Sequence, residues 1–442
     1  MWWILGLSLL ANGALVASGL RAQRRRLQLR QDIAASCGLK VVKVSSSGAI
    51  RLKVEARAGP VKVRIEDSRA QRYGLWIAIT FPGPPGFSGV RMRREVFKPP
   101  GAREIEVGDE LFDSRFFVEG PSRLLTVLLD AETRALLLSV NLEGELEISG
   151  SEIRLETHDK RLPDLLPLLL DITRRFTDGV DVAQRLAENA RQDPEAGVRL
   201  RNLLVLAREH PGEPGTIETL RAACSDPSPQ MRLRAAMALG SEGRDLLVEL
   251  AESTEDDAIS AQAVVAVGRE LPFEHTRGIL DHALRRRRLQ TARSCLEALG
   301  HGGDAAAVDV LEKVLAIEKG ELAAAAARAL GATGSPAAEP PLLLALHSEK
   351  MDIRLAAATA LGRAGSAAAV LPLKDAAESA RDNELRRAIR QAIAEIQSRL
   401  EGASPGQLSL AEAEAGQLSL ANAEIGRLSL SPGEAGPASA AP

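Results

Sequence analysis

The chain has 442 residues, and its 56 basic and 59 acidic side chains give a formal net charge of −3. This balance and an aromatic content of 3% are unlike a nucleic-acid-binding protein, which presents a continuous basic face and aromatic rings for stacking on bases. The three cysteines, Cys37, Cys224 and Cys295, have no metal or redox spacing, which favours a cytoplasmic protein over an exported one.

The first segment, residues 1–20, contains no charged side chain. A helix of about 20 residues matches the thickness of the hydrocarbon core of a bilayer. Trp2 and Trp3 precede this run, and a dense arginine cluster follows it within residues 21–30. The pattern predicts a transmembrane anchor that contacts lipid through residues 1–20, with a basic juxtamembrane linker over residues 21–38 and the bulk of the chain in the cytoplasm. A cleaved export signal is the alternative.

Period-two alternation of apolar residues predicts a β-rich domain over residues 39–160. Two alternating runs on either side of residues 58–60 (AGP) indicate a hairpin. Five further strands are expected at residues 74–80, 90–97, 115–119, 142–149 and 153–157. One helical insertion is expected over residues 121–140. Asp109 and Asp113 favour turn and cap roles, because no histidine, cysteine or glycine-rich loop accompanies them.

A connecting helix over residues 161–180 leads into a repeated phrase, a helix of small residues that ends in Leu-Gly. Its copies close at glycines that are 28, 32, 31 and 31 residues apart, namely Gly240, Gly268, Gly300, Gly331 and Gly362. A helical repeat of this length predicts an α-solenoid. Weaker copies on both sides extend the solenoid over residues 181–400, which makes about seven helix pairs.

Each copy of the phrase predicts which of its side chains are buried. The residues one, two, four and five positions before the glycine are small or apolar in every copy, and these positions share one helical face. The residues three and six positions before the glycine vary, so we expect them to face outward or toward a groove. The glycine itself is expected to end the helix in a left-handed cap.

These helix–turn–helix units resemble HEAT repeats, in particular the short repeats of phycobilisome-lyase-type proteins. The resemblance rests on a turn signal at residues 352–354 (DIR) and, more loosely, at residues 228–232 (SPQMR). It implies that Arg232 and Arg354 are ladder residues that tie neighbouring repeats together. It also implies that the second helix of each pair lines the surface that meets a partner. The variable residues expected on that surface are Arg234, Gln262, Glu297, Arg328, Arg386, Arg387 and Arg390.

No motif for catalysis or cofactor binding stands out. The sequence has no nucleophile elbow, zinc-protease helix, P-loop or dinucleotide fingerprint. His275 and His282 lie on one predicted helix, but without an evident carboxylate or cysteine partner they favour solvated side chains over a metal site. Four arginines at residues 285–288 favour a hydrated helix end over a contact with nucleic acid or anionic lipid. The sequence therefore predicts no catalytic, metal or cofactor-binding residue.

The tail, residues 401–442, contains three near-copies of one decapeptide: GQLSLAEAEA, GQLSLANAEI and GRLSLSPGEA. Ten residues with one Leu-Ser-Leu bury too little apolar surface to fold alone, so the pattern predicts disorder. The alternative is a repeated docking motif that binds a partner weakly and gains from multivalency.

The predicted fold class is multidomain α+β, with a single N-terminal transmembrane helix, a small β-rich domain and an all-α HEAT-type solenoid. The predicted function is a non-enzymatic, membrane-anchored scaffold that binds a protein partner through the solenoid and needs no cofactor. The alternatives are a phycobilisome-lyase-type enzyme or enzyme subunit, and a HEAT solenoid that binds nucleic acid. The solenoid contains no tyrosine, since the only one is Tyr73, which argues against a chromophore groove.

Overall fold

The computed structural model describes two compact units, Met1–Gly243 and Arg244–Pro442. The described residues are 20–47, 51–68, 74–95, 103–179, 181–253, 255–302, 305–399, 408–410 and 418–420.

The first unit contains an antiparallel sheet of eight strands. In chain order they are β1 (Lys40–Ser47), β2 (Arg51–Ala58), β3 (Val61–Asp67), β4 (Leu75–Thr80), β5 (Arg91–Arg94), β6 (Phe116–Glu119), β7 (Glu145–Ser149) and β8 (Glu152–Thr157). Their order across the sheet is β1-β2-β3-β4-β8-β7-β5-β6. The alternation of apolar residues in the sequence reflects the two faces of the sheet. In β2, Leu52, Val54 and Ala56 are buried, while the side chains between them are not.

The predicted hairpin is confirmed, and a strand is present within each of the five further ranges. The range 142–149 is too long, because residues 142 and 143 belong to α4, and residues 96 and 97 of the range 90–97 lie outside the described part of the chain. Ala58 pairs with Val61 across a turn in which Gly59 has a φ of 55°, a conformation that glycine adopts without a steric penalty. The helical insertion is also present, but it is two helices, α3 (Ser122–Leu128) and α4 (Ala131–Glu143). Asp130 separates them and caps α4, where its carboxylate accepts a hydrogen bond from the Thr133 N–H at 2.8 Å.

A helix over residues 20–36, α1, packs against this domain, where the sequence predicted a basic linker. Ile33 and Ala34 join the same hydrophobic core as the sheet and α5 (Leu162–Thr177). The guanidinium of Arg30 is buried and lies 2.6 Å from Asp67 and 2.7 Å from Asp159. Part of the basic cluster therefore pairs with carboxylates within the domain. The number of arginines predicted a linker because these distant carboxylates are not evident from the local sequence.

The predicted fold class is wrong in its transmembrane helix. No helix in the part of the chain that the structure describes is long and apolar enough to cross a membrane. The anchor was placed on residues 1–20, of which residues 1–19 lie outside that part. Ser8, Asn12, Ser18 and three glycines lower the hydropathy of this segment.

Helix pairs follow α5. In the first unit they are formed by α6 (Val182–Gln192), α7 (Ala196–Glu209), α8 (Pro214–Ala223) and α9 (Pro229–Leu239). In the second unit they are formed by α10 (Arg244–Ser253), α11 (Asp257–Val267), α12 (Phe273–Arg286), α13 (Leu289–Gly302), α14 (Ala305–Ile317), α15 (Glu321–Thr333), α16 (Glu339–Ala345), α17 (Met351–Ala364), α18 (Val370–Ser379) and α19 (Asn383–Arg399). The described residues thus contain two pairs in the first unit and five in the second.

The burial predicted from the repeated phrase is confirmed four and five positions before the glycine, but the position two residues before it is exposed at Ala238 and Ala266, where burial was predicted. In all five copies the residue three positions before the glycine is exposed, while those four and five positions before it are buried. The position six residues before the glycine was expected to face outward, and this is wrong in three copies, because Ser294, Ala325 and Ala356 are buried. Each of these three second helices packs against a neighbouring second helix on two sides. Its exposed face is therefore narrower than that of a helix with a single buried stripe.

The closing glycines have two different roles. Gly240 and Gly268 end their helices at positive φ, 60° and 57°, but their ψ values of −121° and −129° lie outside the left-handed helical region that was predicted. Gly300, Gly331 and Gly362 instead lie inside helices, so the cap prediction is wrong for them. A Cβ at Gly331 would stand 2.6 Å from the Cα of Ala360 on the next second helix, and one at Gly300 would stand 2.7 Å from the carbonyl oxygen of Ala329. These glycines permit the helices to approach closely.

Because of this close approach, replacing glycine with alanine should have opposite effects on stability at two positions. Gly331→Ala should lower the free energy of unfolding by about 1–3 kcal/mol, because the helix backbones must separate to admit the methyl group. Gly278→Ala, inside α12, meets nothing within 4 Å and should instead raise stability by about 0.5–1 kcal/mol. Urea denaturation of both variants gives the comparison. Two changes of the same sign would mean that the glycines do not lie between packed helices.

In the tail, Leu408–Leu410 and Leu418–Leu420 form two short antiparallel strands, β9 and β10. Leu410 pairs with Leu418, and Leu408 pairs with Leu420. The prediction of disorder is therefore wrong for these residues, because two decapeptides pair their Leu-Ser-Leu segments where one alone has no partner. The remaining residues of the tail lie outside the described part of the chain.

Candidate functional site

The second helices of the second unit stand side by side in the order α11, α13, α15, α17 and α19, each packed on the next. Each presents one exposed side chain at the position three residues before the closing glycine, or its equivalent in α19. We call these residues the second-helix row: Val265, Glu297, Arg328, Thr359 and Arg390. Their regular recurrence follows from the repeat, because the same helical position is exposed in each of the five helices.

The two charges in the middle of the row are compensated locally. Arg328 lies 3.0 Å from Glu321, which precedes it by about two turns of the same helix. Glu297 lies 3.9 Å from Arg293. With Val265 and Thr359 beside them, these positions form a surface of mixed and largely neutral character.

The C-terminal end of the row is positive. Arg387 and Arg390 lie one turn apart on α19, and both are exposed. Within residues 305–399, which the structure describes without a gap, neither side chain makes an ion pair. Arg386 is half-buried and donates to the Arg381 carbonyl at 3.4 Å. Arg386 therefore adds a half-buried positive charge, and the exposed positive charges of this end are those of Arg387 and Arg390.

Helix α19 is firmly attached to its neighbour. Arg399 donates to the carbonyl oxygens of Gly362 and, at 2.7 Å, of Gly365, and so caps the C-terminal end of α17. Leu385, Ile389 and Ile396 are buried against the repeat. The two exposed arginines therefore stand on a well-supported helix.

The predicted surface residues belong to both units and differ in exposure. Glu297, Arg328, Arg387 and Arg390 are exposed in the second unit, whereas Gln262 is half-buried there. Arg234 lies in the first unit, where it is half-buried with a guanidinium nitrogen 3.9 Å from the Met237 sulfur.

The two predicted ladder residues make contacts close to their own helices. Arg232 donates to the carbonyls of Asp226, at 2.8 Å, and Pro227, at 3.2 Å, in the turn before α9. A guanidinium nitrogen of Arg354 lies 3.5 Å from the Met351 sulfur, and its Nε is buried without a hydrogen-bond partner.

Arg199 makes the contact between neighbouring repeats that the sequence reading missed. Its guanidinium binds both carboxylate oxygens of Asp226, at 2.8 and 3.0 Å, and it also donates to the Asp193 carbonyl at 2.9 Å. Burial opposes the charge of Asp226, but the hydrogen bonds from Arg199 and the Ser228 N–H hold its pKa below the usual range. The signal was in the sequence, because Asp-Pro is followed by arginine at the same spacing in residues 193–199 and 226–232.

A second missed contact joins the β-rich domain to the first helix pair. Arg134 on α4 is buried, and its guanidinium binds Asp193, which follows α6, in a bidentate pair with both distances 2.9 Å. Its Nε donates to Asp109 at 2.7 Å. Asp109 also caps α2 (Glu110–Asp113) through the Phe112 N–H, and Asp113 accepts from Val107 and Gly108, so the predicted turn and cap roles are confirmed.

In the second unit a carboxylate performs the connecting role. Asp257 at the start of α11 accepts hydrogen bonds from the backbone N–H groups of Gln290 and Thr291, at 3.0 and 2.9 Å, and from the Thr291 hydroxyl at 2.8 Å. It therefore caps α13, the next second helix. Burial opposes its charge, but the hydrogen bonds with Thr291 and Gln290 lower its pKa overall.

The histidines and cysteines have separate surroundings. His275 Nδ1 lies 2.7 Å from Glu252, while His282 Nε2 lies 3.2 Å from Arg288. Among the described residues no three histidine, cysteine, aspartate or glutamate side chains are grouped so that they could hold a metal ion. Burial raises the pKa of the Cys295 thiol to about 12. The thiol is therefore protonated at neutral pH, as expected of a cysteine in the core.

The first helices present a different surface. A groove of about 540 Å³ runs between α12 and α14, with Phe273, Val310 and Ile317 among its apolar lining residues. Lys313 of α14 stands in its wall. This groove lies among first helices, so it provides a comparison for tests of the second-helix row.

Two stretches of the chain, residues 183–268 and 317–394, match the family model for HEAT repeats. The matched stretches include α7, α9, α11, α15 and α17, whose helical pairing is described above. The chain carries HEAT repeats. These two stretches, which we call the HEAT region, include helices of both units and contain four residues of the second-helix row, Val265, Arg328, Thr359 and Arg390, while Glu297 lies between the two stretches. No curated protein matches the chain.

Several solved structures are similar to the chain. Human deoxyhypusine hydroxylase in complex with glycerol is 18% identical, with a TM-score of 0.23, and the match covers 49% of this chain and 96% of that one. The complex of CpcE and CpcF of phycocyanin lyase from Nostoc sp. is 19% identical, with a TM-score of 0.31, over 51% and 97% of the two chains. An engineered protein is 17% identical, with a TM-score of 0.32, over 62% and 83%. Likenesses this weak carry no argument about activity.

Proposed function

We propose that this protein is a non-enzymatic scaffold that binds a protein partner through the second-helix row of its HEAT region. The observation that carries the proposal is the row itself, in which five adjacent helices each expose one side chain at the same position. A regular exposed surface on closely packed helices suits a partner that extends along several repeats.

The chemistry of the row suggests the character of the contact. Val265 and Thr359 are neutral, Glu297 and Arg328 are compensated, and the exposed face offers no aromatic side chain. Obligate interfaces are more apolar than this, so we infer a reversible contact of moderate polarity. The uncompensated Arg387 and Arg390 favour a partner whose contacting segment is acidic at the α19 end.

Reversing the two arginines should weaken partner binding without unfolding the protein. In the Arg387→Glu/Arg390→Glu variant we expect about tenfold less partner to be recovered with the tagged full chain, because attraction to an acidic segment becomes repulsion. The melting temperature should stay nearly unchanged, since both side chains are exposed and neither makes an ion pair within residues 305–399. Quantitative mass spectrometry of the recovered proteins measures partner binding, and a thermal melt of the variant measures its stability.

The matched control is Lys313→Glu/Lys374→Glu, which changes the net charge equally at exposed positions on the first helices α14 and α18. It should leave recovery of the same partner unchanged. Equal losses in the two variants would show that only net charge matters. Undiminished recovery with folded Arg387→Glu/Arg390→Glu protein would place the interface elsewhere on the chain.

The cytoplasmic location and the absence of enzymatic activity stay predictions. The lyase-type and nucleic-acid-binding alternatives also stay untested.

A further inference from the structure

The positive end of the second-helix row has a chemically complementary segment within the same chain. Residues 401–442 contain five glutamates and one arginine, and the glutamates recur with the decapeptides: Glu401, Glu412, Glu414, Glu424 and Glu434. Helix α19, which carries Arg387 and Arg390, directly precedes this segment. The tail and these two arginines thus carry opposite charges.

The connection is long enough for the tail to reach these arginines. Arg390 lies nine residues before Arg399, the last residue of α19, which is about 14 Å along the helix. Thirteen residues separate Arg399 from Glu412, and an extended chain spans about 3.3 Å per residue, so the available length exceeds the distance about threefold. Chain length does not prevent the contact.

Two of the tail's glutamates lie close together in the sequence, between its paired strands. Because β9 and β10 are antiparallel, with Leu410 opposite Leu418, residues 411–417 connect them. Glu412 and Glu414 both belong to this connection. Two carboxylates two residues apart match two guanidinium groups one helical turn apart in number and sign.

We propose that the acidic decapeptide tail binds the Arg387–Arg390 face of α19 in its own chain and competes there with the acidic segment of the partner. The inference rests on the proposed function for the identity of the competitor, but the contact of the tail with α19 does not depend on it. The HEAT region would then bind its partner more weakly when the tail occupies this end of the row.

Photo-crosslinking within the full-length chain tests the contact. The photoreactive amino acid benzoylphenylalanine replaces exposed Ala394, which lies one turn beyond Arg390 on α19, and the crosslinked peptides are mapped by mass spectrometry. We expect crosslinks to residues 401–434. The matched control places the same group at exposed Leu371 on α18, a first helix, and should give no crosslinks to the tail.

Removing the charges of the tail or reversing those of α19 should then lower the yield of the crosslink. Replacing Glu412, Glu414, Glu424 and Glu434 with glutamine should lower the yield from position 394 about tenfold, and Arg387→Glu/Arg390→Glu should do the same. An unchanged yield in either variant overturns the proposal, as does an equal yield from position 371. Crosslinks between isotopically light and heavy copies of the chain would also overturn it, because they would assign the tail to a second molecule.

The partner provides a separate reading. The glutamine variant should recover more partner than the natural sequence, because the competitor for Arg387 and Arg390 has lost its charge. Loss of partner recovery in Arg387→Glu/Arg390→Glu, together with no tail crosslink from position 394, would overturn this inference and leave the proposed function intact. A tail crosslink from position 394, with partner recovery unaffected by the arginine reversal, would overturn the proposed function and leave the contact of the tail with α19 intact.

Discussion

Replacing Arg134 with methionine should lower the free energy of unfolding of the first unit by about 3–5 kcal/mol, because it leaves buried carboxylates without their counter-charge. The side chains of Arg134 and Asp193 are only 2% and 1% exposed, and Asp109 is 13% exposed. Burial tends to lower the pKa of Arg134, but the hydrogen bonds to Asp193 and Asp109 raise it overall, so the guanidinium is charged in the folded protein. Urea denaturation followed by tryptophan fluorescence measures the loss, since all three tryptophans, Trp76 among them, belong to the first unit.

The matched control is Arg154→Met. Arg154 also pairs with a carboxylate, Glu152, at 2.7 Å, but its side chain is 45% exposed. Its removal should cost well under about 1 kcal/mol. Adding Asp193→Asn and Asp109→Asn to Arg134→Met should recover part of the stability, since neutral amides are cheaper to bury than unpaired carboxylates. Equal losses at Arg134 and Arg154 would contradict the buried network.

Truncating Leu330 or Leu361 to alanine should lower the free energy of unfolding by about 2–5 kcal/mol, because each leaves a cavity between packed helices. Both side chains are fully buried, in α15 and α17 respectively. Thr359 lies two residues before Leu361 but is exposed, and Thr359→Ala should cost well under about 1 kcal/mol. Chemical denaturation of the three variants compares them. Similar losses at Thr359 and Leu361 would mean that the helical phase of the repeat is wrong.

The repeat was predictable because its period and its small-residue stripe both follow from local rules. The exposure of Glu297, Arg328 and Thr359 comes from counting back from a glycine, and the structure confirms it. The different role of Gly331 could not be read in the same way. Whether a glycine ends a helix or lies against the next one depends on the neighbouring repeat, and Ala360 is 29 residues away in the chain.

The buried ion pairs show a similar limit. Arg30 belonged to a run of arginines that predicted a juxtamembrane linker, yet it pairs with Asp67 and Asp159, which are distant in the sequence. Asp109 was correctly assigned a cap role from its local sequence, but its second contact, with Arg134, is 25 residues away. Local patterns predicted the caps and strands, whereas pairing of charges across the fold required the structure.

The most direct test of the central proposal is a comparison of crosslinking from two exposed positions of the HEAT region. Benzoylphenylalanine at Thr359 lies in the second-helix row on α17, and the same group at Leu344 lies on α16, the first helix of the same pair. The proposal predicts that one protein is crosslinked in cells from position 359 and not from position 344, and that Arg387→Glu/Arg390→Glu diminishes this product. The same protein crosslinked equally from both positions, or from position 344 alone, would contradict binding through the second-helix row.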